Sequence, residues 1–200
     1  MMKDKIIIKS TDLFLNLGFK SVTMDDIANE MGISKKTIYQ HFQNKTKLVE
    51  ATAMHVFENI SKGIDCICEL NTNPINEIYE IKRFVMLNLK DEKSSPQYQL
   101  QKYYPKIYCS LKRKQFEKMI GCVTRNLERG VTQKLYRDSI EVDFIARLYF
   151  NGMISLKDQD IFPRDTYAMQ NLMNNYIDYH LRGICSTKGL ETLTELNTNL

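Results

Sequence analysis

Apolar residues recur at three- and four-residue spacing along almost the whole chain. No run of strict alternation and no Asn-Gly hairpin signal interrupts them, so the sequence reads as all-α. The pattern predicts helices near 3–17, 23–31, 34–42, 44–70, 74–90, 96–103, 105–129, 141–157 and 165–185. Its character changes at residue 44. Before that point lie three short helices with close punctuation; after it, Val49, Ala53, Val56, Phe57, Ile60, Ile64 and Ile67 hold one stripe for about five turns. A small N-terminal module, 1–46, is therefore expected to continue through a long helix into a larger helical body, 47–200. Asn73-Pro74 and the run Lys90 to Pro96 each place a capping residue before a first-turn proline, marking helix starts after loops. From Ser186 to Leu200 only Leu190, Leu193 and Leu196 form a stripe, which fits either a docked short helix or a frayed tail.

The segment 22–48 is the most sharply punctuated. Thr23 suits an N-cap, Asp26 can complete a capping box, and Val22 can staple onto Ile27. Met24, Ile27, Ala28 and Met31 follow at helical spacing, and Gly32 can take the left-handed conformation that ends a helix. Ser34 then caps a second helix, in which Ile33 and Ile38 form another staple and Ile38 and Phe42 point one face inward. The opposite face shows Lys35, Lys36, Thr37, Tyr39, Gln40 and His41. A short helix anchored by two apolar residues and presenting cations, hydroxyls and amides outward is what reading the DNA major groove requires. Taken singly, the two lysines would suit any solvated helix face, and His41, beside Phe42, would suit an interior position.

Over about its first fifty residues the chain resembles the DNA-binding domain of the TetR family of transcriptional regulators. The likeness rests on Phe14, Gly18 and Phe19 closing the first helix, on Thr23 through Ile27-Ala28, on Gly32-Ile33-Ser34 and Thr37-Ile38-Tyr39, and on His41-Phe42 and Lys45 with Leu48. The resemblance implies that Thr23, Tyr39 and Lys45 touch phosphates and that Lys35, Lys36, Thr37 and Gln40 face base edges, with Ser34 and His41 in the same surface. Thr11 stands where such proteins often have alanine, and Gln40 where aromatic or basic residues are frequent, so base preference stays open. The resemblance also implies a ligand-responsive regulator, most often a repressor, that binds an inverted-repeat operator as a homodimer. Its last two long helices would pair across the two-fold axis, with Phe144, Leu148, Gly152, Leu172, Tyr176 and Leu181 as candidates; the same stripes would also serve a monomer core.

Composition narrows the remaining possibilities. The formal charge is +4, which permits a nucleic-acid partner without demanding one, and residues 1–50 carry eight lysines against six carboxylates. Residues 102–137 hold ten basic side chains against Glu117 and Glu128. A solvated helix face is the simplest reading of that segment; an acidic ligand or an extra phosphate contact is the other. The body is rich in Met, Tyr and Phe, so an effector pocket is expected between the long fourth helix and those near 74–90 and 105–129, lined by Phe84, Met86, Tyr104, Tyr108, Met119 and Cys122. The nearby cations would favour an anionic or amphipathic small molecule. No Gly-rich phosphate loop, nucleophile elbow or paired-His motif is present, so neither catalytic residues, a metal nor a cofactor is expected. Cys66 and Cys68 would sit about 200° apart on a helix, unsuited to one metal. Five scattered cysteines, no apolar leader and no run long enough for a membrane span lead to the expectation of a reduced, cytoplasmic protein without a membrane partner. A helix-turn-helix adaptor for other proteins, and a small enzyme of the helical body, are the competing functions.

Overall fold

A computed structural model describes residues 1–89 and 96–198 and contains ten helices among them. They are α1 (Met2–Leu17), α2 (Met24–Met31), α3 (Lys35–His41), α4 (Lys45–Glu69), α5 (Pro74–Leu89), α6 (Pro96–Tyr103), α7 (Pro105–Thr132), α8 (Val142–Ser155), α9 (Met169–Ile184) and α10 (Thr187–Thr198). The expected loop over 90–95 lies outside the described residues; α6 begins at the first-turn proline, Pro96. Two compact units emerge, and neither is a single stretch of sequence: Met1–Ser61 groups with Leu89–Gln115, and Lys62–Asn88 with Phe116–Leu200.

The first unit is built on Ile6 and Phe14 of α1, Phe19 and Val22 of the following turn, Ile27 of α2, Ile38 of α3, and Leu48 and Val49 of α4, all buried. Leu100 of α6 joins this core, and Tyr104, Ile107, Tyr108 and Leu111 pack against it. Phe19 sits between two rings, with centroids 5.1 Å from Phe14 and 6.3 Å from Tyr104. Gly18 ends α1 at φ +89°, and a Cβ there would lie 2.5 Å from Nε2 of Gln99. The backbone angle therefore requires glycine, whereas the flexible end of Gln99 could shift aside. Gln99 Oε1 then accepts from the backbone N–H of Lys20 at 3.2 Å, tying α6 to the α1–α2 turn.

The second unit is centred on Ile75, Leu127, Leu135, Tyr136, Ala146, Ile177, Leu181, Ile184 and Leu193. Helix α7 runs three residues past its expected end at 129. At Gly130 a Cβ would come within 2.0 Å of the Tyr136 ring, so the ring occupies the space that the glycine leaves. Tyr136 in turn donates its hydroxyl to Asn126 Oδ1 at 3.0 Å, and Asn126 Nδ2 donates to Glu77 Oε1 at 2.7 Å and to the Pro74 carbonyl at 2.9 Å. The other carboxylate oxygen of Glu77 accepts from Arg129 at 2.8 Å. Glu77 is only 1% exposed, and such a buried charge is tolerated because every partner is supplied. Of the ten basic side chains in 102–137, eight are exposed as a solvated face would have them, and two depart from that reading: Arg129 pairs with Glu77, and Lys118 pairs with Asp65 at 2.5 Å. The C-terminal stripe resolves as a docked helix, since Leu193 of α10 is fully buried and Leu190 and Leu196 pack against the same core.

His180 of α9 is buried between Tyr149 and Tyr176, with ring centroids at 4.7 and 6.2 Å. Burial disfavours the imidazolium and pulls the pKa down to about 4. Because the folded pKa lies below the ordinary 6.5, the unfolded chain takes up the proton first as pH falls. The associated stability is complete above pH 6.5 and is lost progressively toward pH 4, a total on the order of 3 kcal/mol. Denaturant unfolding measured across this window should show the decline, and His180→Phe should flatten it.

Candidate nucleic-acid interface

The two helices expected to form the helix-turn-helix are fixed by their own caps. Thr23 Oγ1 accepts from the Asp26 backbone N–H at 3.1 Å, while the Asp26 carboxylate accepts from the Thr23 N–H and hydroxyl, both at 2.8 Å. These bonds to Thr23 hold the Asp26 carboxyl below the usual range. Helix α2 ends at Gly32, left-handed at φ 62° and ψ 33°, and the Ile33 N–H donates back to the Ala28 carbonyl at 3.0 Å. Two residues on, Ser34 Oγ accepts from the Thr37 N–H at 3.1 Å and starts α3. Ile38, fully buried, and Phe42, nearly so, pin the inner side of this seven-residue helix.

Everything else on α3 faces out or to the edge. Lys35, Lys36, Tyr39, Gln40 and His41 are exposed, as are the cap residues Thr23 and Ser34, and Thr37 is half-buried. Thr37 Oγ1 lies 2.8 Å from Ser34 Oγ. Lys35 reaches back to Asp25 at 2.7 Å, and this hydrogen bond raises its pKa. A polyanion would have to compete with that surface pair, which is intrinsically weak. Lys45, at the start of α4, is half-buried, and its ammonium donates to the Lys20 carbonyl at 3.4 Å. Burial lowers its pKa, and the nearby Asp26 carboxylate opposes that shift. Asn44, not singled out from sequence, caps α4 by accepting from the Lys47 N–H at 3.0 Å. Its position directly before a helical run was the available signal. The result is a narrow helix with a polar, cationic outer face, and a cylinder of this size fits a major groove about 12 Å wide.

The signature of the family described as "Bacterial regulatory proteins, tetR family" matches residues 6–52. The likeness to this family is carried by these residues, about a quarter of the chain. Among curated relatives, the biofilm operon negative transcriptional regulator IcaR of Staphylococcus aureus is 35% identical over 75 residues, which is 38% of this chain and 38% of that protein. The transcriptional activator FasR of Mycolicibacterium smegmatis is 31% identical over 62 residues, 31% of this chain and 28% of that protein. The chain thus aligns with well under half the length of either relative. In fold the likeness is much longer: a TetR-family regulator from Agrobacterium tumefaciens superposes with a TM-score of 0.72 over 92% of this chain and 97% of that one, at 16% identity.

Outside the N-terminal helices the sequence candidates scatter. Of the six pocket candidates, Tyr104 and Tyr108 pack against the core of the first unit, while Met86 packs with Leu156, Leu172 and Met173 in the second. The Phe84 ring lies where a Cβ on Gly63 would be, 2.0 Å from its Cζ, so it fills space against α4. Met119 is half-buried, and Cys122 is buried beside Cys68, whose thiol is pushed up to about 12 by burial and by that neighbour. A surface concavity of about 320 Å³ runs instead along Arg125, Glu128, Arg129, Thr132 and Gln133. Of the six dimer candidates, Leu181 and Leu172 point into the chain's own core. Tyr176 donates to the Leu148 and Tyr149 carbonyls at 3.2 Å and packs over Gly152. Phe144 and Leu148 remain exposed on α8, as does Tyr179 on α9, which sequence reasoning did not select.

The caps set the helix angle, so their loss should register in stability before anything else. Thr23→Ala and Ser34→Ala should each cost about 1 kcal/mol in denaturant unfolding.

Proposed function

We propose that the protein is a sequence-specific, DNA-binding transcriptional regulator, acting as a ligand-responsive repressor on an inverted-repeat operator. The observation that carries the reading is α3: Ile38 and Phe42 hold it down while Lys35, Lys36, Tyr39, Gln40 and His41 face outward behind two intact caps. Among the described residues none holds the Lys36 or Gln40 side chain by a hydrogen bond, which leaves both for base edges. Thr23, Tyr39 and Lys45 are assigned to phosphates, positioning the helix without reading sequence. The negative regulator IcaR, 35% identical over 75 residues, supports repression as the sign of regulation. The function is regulatory rather than catalytic, and no helix among the described residues is long and apolar enough to cross a membrane. A cytoplasmic location follows from an operator as the partner.

DNA selected from a random duplex pool should contain an inverted repeat with half-site centres about 34–36 Å apart or a near multiple. Lys45→Ala should weaken binding across all sequences and lower the salt slope by about one, whereas Lys36→Ala or Gln40→Ala should relax base preference by about 1–3 kcal/mol. Equal affinity for every duplex at moderate salt would rule the reading out.

A two-fold operator calls for a two-fold protein, and the exposed Phe144, Leu148 and Tyr179 supply an apolar face on α8 and α9. Leu172 and Leu181 are better kept intact, because a charge there would disrupt the chain itself. Leu148→Glu should give a folded monomer in sedimentation with operator affinity reduced by at least tenfold; a dimer of unchanged strength would remove this face from the interface. The effector is proposed to be a small anionic or amphipathic molecule bound by the body. It would release DNA by binding the DNA-incompetent arrangement better, and a 100-fold preference supplies about 2.7 kcal/mol per site.

A further inference from the structure

Two cysteines of the second unit, Cys68 on α4 and Cys122 on α7, are used neither by the helix-turn-helix nor by the Glu77 network. Polar clamps on either side of them fix how their helices run past each other. Lys118 binds Asp65 at 2.5 Å, and farther along Arg129 donates to the Thr72 carbonyl. Cys68 stands three residues after Asp65 and Cys122 four after Lys118, so each cysteine shares a helix face with its clamp residue. The thiols consequently meet between the clamps, close enough for a hydrogen bond between the two side chains.

The two sulfurs have different surroundings. Cys122 is buried, and Arg125, exposed on the next turn of α7, donates a guanidinium N–H to its Sγ at 3.6 Å. A cation in that place stabilises negative charge on the sulfur as its proton leaves. The same arginine lines the surface concavity along α7, where a small solute can reach it. Cys68 is half-buried, and burial, followed by the charges of Cys122 and Glu77, pushes its thiol up to about 12, with Arg125 pulling the other way. It therefore stays protonated near neutrality. Cys66 and Cys109 are exposed to water, and Cys185 is packed in the core with Leu181 and Ile184.

We infer that Cys68 and Cys122 form a reversible oxidation site, at which a hydroperoxide converts the two thiols into an intramolecular disulfide. The Cys122 sulfur attacks the terminal oxygen of the hydroperoxide and the O–O bond breaks. The thiol proton passes to the departing oxygen, which leaves as water or an alcohol, and Cys122 becomes a sulfenic acid. That product is neutral, so one of the charges that held Cys68 protonated is gone. The Cys68 sulfur then attacks the Cys122 sulfur, the S–O bond breaks, and hydroxide leaves with the Cys68 proton as water. Together the two sulfurs lose two electrons and the hydroperoxide gains them. The new bond would tie the last turns of α4 to α7, beside the ion pair that already aligns them. Transient disulfides of this kind are compatible with a reducing compartment, and the site does not depend on the DNA-binding reading.

The full chain, reduced and freed of reductant, would be treated with a small excess of hydrogen peroxide and followed by intact mass and by peptide mapping without reductant. The expected product has lost two hydrogens, carries a Cys68–Cys122 link that dithiothreitol reverses, and leaves Cys66 and Cys109 open to alkylation. Cys68→Ser should form no disulfide and should accumulate a sulfenic acid on Cys122 that dimedone traps. Arg125→Ala should slow disulfide formation severalfold without moving the thermal unfolding midpoint, and Arg125→Lys should restore most of the rate. Oxidation that falls first on Cys66 or Cys109, or a disulfide that joins other cysteines or two chains, would overturn the inference. An unchanged rate in Arg125→Ala would overturn it as well, by removing the cation that makes Cys122 the attacking sulfur.

Discussion

A seven-residue helix cannot persist in water by itself, because nucleation fixes several residues for the first hydrogen bond and too few bonds follow. The candidate reading surface therefore depends on the burial of Ile38 and Phe42 in the N-terminal core. That burial does two things at once: it holds α3 in helical form and rotates its polar side outward. The caps at Thr23 and Ser34 and the left-handed Gly32 then set the angle between α2 and α3, so little in the arrangement of the outward side chains is left to loop conformation.

The second unit is organised differently. Its apolar helices could slide on one another, since aliphatic contacts are non-directional. The Glu77–Asn126–Tyr136–Arg129 network supplies direction: a carboxylate that is 1% exposed must keep its donors, so α5 and α7 are held in one register. Around that anchor, Gly130 admits the Tyr136 ring and Gly152 admits Tyr176. The same economy of space explains why several residues proposed for an interface or a pocket turn out to be packed within the chain.

Charge placement links the fold to the proposed function. The first unit gathers residues 89–115, with seven basic side chains against Asp91 and Glu92, onto a nearly neutral N-terminal module. Counting charges along the first fifty residues gives a modest excess, whereas counting them over the folded unit gives a strongly cationic one. For a partner as highly charged as duplex DNA, the folded count is the physically relevant one.

Local rules made the N-terminal half readable. Helix periodicity, the Thr23–Asp26 box, Ser34 and Gly32 are each decided by residues within four positions of one another, so the sequence alone determined the all-α class, the helix-turn-helix and which side of α3 is wet. The C-terminal leucine stripe was visible, but whether it docked was not, because docking depends on a core assembled from distant helices. The same limit applied to Arg129, Lys118 and Tyr136: each has its partner 10 to 53 residues away, and a basic or aromatic side chain in sequence looks alike whether it meets water or a buried acid. Likewise, Leu148 and Leu181 lie on equally apolar stripes, yet one is exposed and the other fully buried. Tertiary structure alone decided these cases, since a stripe fixes which residues share a face of a helix but not which neighbour covers that face.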